Sequence, residues 1–424
     1  MASFGGRVKT KILLKGPLLT RSGYGEQTRF AYRALKSRPD LFDVYVQPLS
    51  WGNTSWLNEA SEERDSIDKI VEKTIGFIQQ GAQFDASLQC TIPNEWEPLA
   101  PVNIGYTAGI ETTKTAHQWL QKGNMMNRMI VVSTHSKIVF ENTQYGGEDE
   151  AGNRVELRNT TPIDVVNYPV KKFGALEPLD VEFKDDFNFL VMAQAGPRKN
   201  LGNTLKWFLE EFQNDEVGLV IKTNMAKNCL MDREHTLNFL KQTVAPFPDR
   251  KCSLYLLHGD MTDEEIHALF EHPQITSLLT LSHGEGFGLP IFEGAYTGIP
   301  VVAPGWSGQL DFLVDKESGE SHFYNIEYDL QPVSEAAHWE GVIVPESMWA
   351  YPREHSAKQQ MRRCYHDFTS EKASEIQEKT KLRAIALAEE FSEAKLNAQM
   401  VASVCAALGI DPDAALEDEV VEFD

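Results

Sequence analysis

Short apolar runs alternate with stretches of helical periodicity along almost the whole chain, and few folds are open to a sequence written that way. A buried strand followed by a helix brings the next strand back parallel to the first. Repeated strand–helix pairs therefore build parallel sheets with helices on their faces, an α/β architecture. In the first half the strand-like runs fall at residues 11–15, 44–47, 86–89, 103–107, 129–133 and 165–168. In the second half they fall at 187–193, 218–222, 254–257, 277–281 and 300–303, and after about residue 350 helical stretches take over. The clearest helix is 61–80, where Ile67, Ile70, Val71, Ile75 and Ile78 make one apolar stripe on a charged segment.

At 424 residues the chain is too long for a single ordinary core, so two doubly wound domains are expected. The stretch YPVKKFG at 168–174 reads as the linker between them. That gives an N-terminal domain over 1–170 and a second domain over 175–385. A helix at 386–410 is expected to pack back on the first domain, followed by a solvated acidic tail at 411–424. In such sheets ligands sit at the carboxyl ends of the strands.

The net charge is −22, unevenly spread: residues 1–170 hold 18 Lys and Arg against 19 Asp and Glu, and residues 171–424 hold 22 against 43. That acidity argues against non-specific nucleic-acid binding. The first 38 residues carry nine basic groups, from Arg7 to Arg38, so a local anion site there stays open. The five cysteines are scattered and lack CxxC spacing, which argues for a reducing compartment, a cytoplasmic protein, and no zinc or disulfide framework. No run approaches the roughly 18 apolar residues of a membrane span, so stable membrane insertion is not expected. The N-terminal apolar run 12–14 is too short for a signal-peptide core.

The most informative segment is LSHGEGFGLPIFEGAYTGIPVVAPGWSGQLDFL, residues 281–313. It reads as a strand end, a turn rich in glycine (Gly284, Gly286, Gly288), a helix opening near Leu289, and a second strand after Gly298. Glycines let backbone approach a ligand closely, and the following helix offers N–H groups and a positive dipole end to an anion. Glu285 in the turn and Glu293 one turn into the helix stand eight residues apart.

This segment resembles the donor-site signature of glycosyltransferase family 4, matching its glycines, its proline, both glutamates and the Gly-Ile-Pro-Val-Val strand entry. The resemblance implies a GT-B fold, two Rossmann-like domains facing a central cleft, and retaining transfer from a nucleotide sugar (UDP- or GDP-linked). It further implies that Glu285 contacts donor-sugar hydroxyls and Glu293 the ribose diol. The backbone of Gly286, Phe287, Gly288 and Leu289 would meet the diphosphate. Upstream, the loop in FNFLVMAQAGPRKNLGN holds Arg198 and Lys199 just before a helix, where positive charge opposes the helix dipole and so calls for an anionic partner. By resemblance these cations neutralise the diphosphate leaving group, although the family's usual arginine position at the strand end is Gln194 here. Lys222, closing GLVIKTN, is a further candidate near the nucleotide. No DxD stands in a plausible site, so metal-independent donor binding and no prosthetic group are expected.

In the first half, Gly23 and Gly25 belong to a strand–turn–helix that either underlies the donor phosphates, as in the family, or is simply a turn. Glu111, Thr112 and His117 are the acceptor-side candidates, with His117 read as lying inside a helix. Trp51, Trp56, Trp96 and Trp119 suit either stacking on a ligand or a core. The hydroxyl acceptor is unassigned, whether metabolite, glycan, protein or the hydroxymethylated bases of viral DNA, and the state is monomer or homodimer. A protein that binds nucleotide sugar or glycan without catalysis is the rival reading; slow donor hydrolysis would exclude it.

Overall fold

The computed structural model describes residues 9–52, 54–148, 153–225 and 227–413. Most of the acidic tail, and Arg7 of the basic start, lie outside these residues. The chain divides into two compact units. One comprises the residues up to Gly109, Thr115–Pro169 and those from Glu393 onward; the other comprises Ile110–Lys114 and Val170–Ser392.

The first unit is built on β1 (Thr10–Gly16), α1 (Gly23–Lys36), β2 (Phe42–Pro48), α2 (Glu62–Gln79), β3 (Ala86–Cys90), β4 (Val102–Thr107), α3 (His117–Gly123), β5 (Arg128–Val131), α4 (Thr134–Asn142), the hairpin β6 (Gln144–Glu148) and β7 (Arg154–Arg158), and β8 (Ile163–Val165). Six of these strands form a parallel sheet in the order β2-β1-β3-β4-β5-β8. Ser22 starts α1 by accepting from the Gly25 amide, and Ser61 starts α2 by accepting from Arg64. The apolar stripe of α2 is only partly covered: Ile67 is buried, while Ile75 and Ile78 are 51% and 53% exposed. The helix lies against β2, the edge strand, so part of its stripe overhangs the sheet.

The second unit runs through β9 (Asn188–Met192), α5 (Leu201–Phe212), β10 (Gly218–Thr223), α6 (Leu230–Val244), β11 (Ser253–His258), α7 (Asp263–Phe270), β12 (Ile275–Leu279), α8 (Leu289–Thr297), β13 (Val301–Pro304), α9 (Leu310–Leu313), β14 (Tyr324–Ile326), the antiparallel ribbon β15 (Tyr328–Pro332) and β16 (Met348–Pro352), α10 (Glu354–Thr369) and α11 (Ala373–Glu390). The last helix, α12 (Glu393–Leu408), falls to the first unit. The sheet order is β11-β10-β9-β12-β13-β14. Phe189, Val191, Leu205, Phe208, Leu209, Phe212, Leu219 and Ile221 fill its core.

That order has one consequence for the site. The chain leaving β9 crosses to β10 on one side, while β12 continues to β13 on the other. The loops that follow β9 and β12 therefore diverge from neighbouring strand ends and leave a crevice between them, the topological switch point of a Rossmann sheet. Two expected strands sit elsewhere. The sixth run of the first half is paired over Ile163–Val165 and not 165–168, and the fourth of the second half over Ile275–Leu279 and not 277–281. In both cases the apolar residues beyond the ladder, Val166, Tyr168 and Leu281, are buried as irregular chain, so hydrophobicity marked the core and not the pairing.

Candidate functional site

The loop after β9 closes in a short turn, Pro197–Lys199, and hands over to α5 through Asn200, which sits in left-handed conformation at φ 52°. The Asn200 side-chain amide donates to the Leu281 carbonyl at 3.1 Å, and the His283 amide donates to the Arg198 carbonyl at 2.8 Å. These two bonds tie the loop after β9 to the loop after β12. Arg198 and Lys199 are thereby set over the turn that carries Glu285.

Glu285 is buried and takes both cations. Lys199 Nζ donates to its Oε1 at 2.6 Å and Arg198 Nη1 to its Oε2 at 2.9 Å. Burial alone would push this carboxyl up; the charges of Lys199 and Arg198, and hydrogen bonds from Lys199 and Ser282, outweigh it and hold the group at about 2. Burial moves Lys199 the other way, below the ordinary lysine range, against the pull of Glu285. For Arg198 burial is again the largest influence, and the carboxylates of Glu111 and Glu285 exceed it and raise the guanidinium. The same Arg198 Nη1 donates to the Gly284 carbonyl at 2.6 Å, while Nη2 stands 3.3 Å from Glu111 Oε1. Arg198, Lys199, Glu285 and Glu111 thus come together as two cations and two carboxylates.

The backbone around Glu285 is clamped from the loop after β13. Its amide donates to Ser307 Oγ at 2.9 Å, and its carbonyl accepts from the Gly308 amide at 3.0 Å. Ser307 holds φ 75°, rare for a residue with a side chain, and its hydroxyl donates on to Gln309. In the sequence, Ser307 and Gln309 are marked by nothing but the close glycines of PGWSGQ. His283 is no more conspicuous. Its Nδ1 pairs with the Ala350 carbonyl at 2.9 Å, its ring stacks 5.5 Å from Trp349, and burial lowers its pKa. The ribbon β15–β16 is thereby fastened to the Glu285 turn.

Gly288 opens α8 in left-handed conformation at φ 94°, with Leu289 and Pro290 as the first helical residues. First-turn amides have no intrahelical acceptor, so this end is suited to an anion. The Phe287 ring is buried against Phe292 and Phe312, which leaves only its backbone for a ligand. Gly286 presses its carbonyl toward Gly308, where a Cβ would come within 2.0 Å. Gly284 is small for a reason other than ligand approach: its Cβ direction is filled by the Glu111 carbonyl at 2.5 Å and the Trp306 ring at 2.6 Å. Glu293 lies half-buried on α8. Lys222 is the next-to-last residue of β10 and donates to the Gly259 carbonyl. Gln194 is exposed beyond β9.

The remaining candidates are placed differently. Glu111 and Thr112 belong to the second unit, and the Thr112 hydroxyl is used locally, donating to the Lys114 carbonyl at 2.9 Å. His117 does lie in a helix, as the exposed first residue of α3, its ring 5.9 Å from Tyr145. In the first unit Gly23 opens α1 with open space around it, whereas a Cβ on Gly25 would strike the Thr20 carbonyl at 2.1 Å. Trp96 and Trp119 are core residues; Trp51 lies against Tyr24 at 4.3 Å, and Trp56 is 42% exposed. Among the described residues no cluster of three or more His, Cys, Asp or Glu could hold a metal, and no helix is long and apolar enough to cross a membrane.

No family model and no curated protein matches the chain in sequence. Solved structures do match in shape. A glycosyltransferase from Rickettsia africae ESF-5 aligns with a TM-score of 0.59 at 14% identity, over 95% of this chain and 99% of that one. Sucrose-phosphate synthase from Thermosynechococcus elongatus aligns with a TM-score of 0.58 at 11% identity, over 95% and 100%. The Anabaena protein HepE, in complex with UDP and glucose, aligns with a TM-score of 0.54 at 12% identity, over 94% and 100%. With two six-stranded parallel sheets and full-length likeness to these proteins, the chain has the GT-B glycosyltransferase fold.

Proposed function

We propose that this protein is a retaining glycosyltransferase of the family 4 kind, moving a hexose or pentose from a UDP- or GDP-sugar to a hydroxyl acceptor. The observation that carries the reading is Glu285 held between Lys199 and Arg198 at the switch point of the second sheet, beside the start of α8. The neighbour in complex with UDP and glucose is consistent with such a donor. In this reading Lys199 and Arg198, with the α8 amides near Gly288, meet the diphosphate without a metal. Glu293 accepts from the two ribose hydroxyls, and Glu285 orients the sugar.

Transfer then follows a front-face course. The acceptor oxygen bonds to the anomeric carbon on the side the phosphate leaves, and the carbon–oxygen bond to the β-phosphate breaks. Its electron pair stays with the phosphate oxygen, which takes the acceptor proton. Charge building on that oxygen is what Lys199 and the helix start stabilise.

A panel of nucleotide sugars should contain one that raises the melting temperature and is slowly hydrolysed by the purified protein. Glu293→Ala and Lys199→Ala should each weaken its binding by about tenfold or more. Donor affinity unchanged in both variants would sink the assignment, and binding without transfer or hydrolysis would leave a non-catalytic binding protein.

A further inference from the structure

The two cations of the site are matched by two carboxylates, and the carboxylates are held very differently. Glu285 is buried, takes hydrogen bonds from both cations at 2.6 and 2.9 Å, and has its backbone clamped by Ser307 and Gly308. Among the described residues the Glu111 carboxylate pairs with Arg198 Nη2 alone, at 3.3 Å, longer than the roughly 2.7–2.9 Å of a charge-assisted hydrogen bond. Its side chain is also more open, 25% exposed against 9% for Glu285.

The backbone beneath Glu111 is nonetheless fixed. Thr113 donates its amide to the Met348 carbonyl at 3.2 Å, and the Met348 amide donates to Thr113 Oγ1 at 3.0 Å. Lys114 pairs with Glu346 at 3.3 Å, and the Glu111 carbonyl fits against Gly284. The segment stays in place while the Glu111 carboxylate can turn away.

Resting on the donor reading above, we propose that Glu111 is a displaceable resident anion: its carboxylate holds Arg198 before the donor binds and gives way to the donor's diphosphate. With Glu111 in place the four groups sum to zero charge, and an incoming diphosphate meets no net attraction. With Glu111 turned out, Arg198 gains a free face and the cluster is positive. The same carboxylate competes with the nucleoside diphosphate after transfer and so favours its release. Glu111 therefore sets how tightly the site holds its donor and its product.

The test is calorimetric titration of UDP, and separately of inorganic pyrophosphate, into the full chain and its variants. Glu111→Gln, which keeps shape and removes charge, is expected to bind both probes roughly three- to tenfold more tightly, with the gain shrinking in high salt. Glu111→Asp, which keeps the charge, should stay near the unmodified protein, as should Glu346→Gln, an acid removed from the neighbouring Lys114 pair. If the unmodified protein binds UDP and Glu111→Gln binds it equally or more weakly, Glu111 braces Arg198 and the proposal is overturned. Enhanced binding of pyrophosphate by Glu111→Gln without any binding of UDP would uphold the displaceable anion and rule out a UDP-linked donor. Failure of both probes with every protein overturns both.

Discussion

Glu285 shows how much one buried carboxylate can carry. Held at about 2 against an ordinary value of 4.5, it contributes stability above the ordinary value and loses it as pH falls through the folded one. The sign follows from proton counting: between about pH 5 and pH 2 the unfolded chain binds the extra proton, so acid favours unfolding. Glu285→Gln leaves Lys199 and Arg198 facing a neutral amide, and should cost about 3 kcal/mol at pH 7. Chemical denaturation at pH 7 and pH 4 checks this, because the gap between the two proteins should narrow at the lower pH; a gap that widened would mean the carboxylate is not the charged partner described. Glu285, Arg198 and Lys199 were legible because each stands in a local pattern, a glycine turn or a helix start. The pairing with Glu111 was not, since nothing local to either segment encodes which distant chain fills the space beside Gly284.

Single glycines decide how the site-bearing elements begin, and not all for the same reason. Gly23 and Gly25 look alike in sequence, yet the first has open space and an ordinary backbone, while the second has no room for a methyl group beside Thr20. Gly23→Ala should therefore be neutral or stabilise α1 by about 0.5 kcal/mol, and Gly25→Ala should cost about 1–3 kcal/mol through overpacking. Melting temperatures of the two variants decide the matter, and equal shifts would refute the distinction. Strands that are short or half-exposed leave little sign of themselves in the sequence. The hairpin β6–β7 and the strand β15 show mostly exposed or intermediate residues, so no apolar run announced them; β16 is apolar, with Trp349, Ala350 and Pro352 buried, but its partner strand carries no matching run. The ribbon β15–β16 nevertheless holds His283 and the Glu111 segment, which is why the supports of the site were less legible than its charges.

At the scale of the whole molecule, alternation of strands and helices announced parallel sheets, but strand order is a property of long-range pairing and was not readable. It is the order that brings the loops after β9 and β12 to one crevice. The chain also returns to its first unit at the very end: α12 buries Leu396, Met400, Val401, Val404 and Cys405 against α1, β4 and β5. Ser403 donates to Asp164 at 2.5 Å, and Asp164 pairs with Arg128 on β5. Five apolar side chains at about 2 kcal/mol each amount to about 10 kcal/mol, comparable to the whole stability of a domain. A chain ending at Ser392 should therefore lose hydrogen-exchange protection in α1, β4 and β5, while β9 and β10, whose core lies within the second unit, keep theirs. Uniform loss across both sheets would show that the two units unfold as one, and full protection in α1 would show that α12 is dispensable to the first.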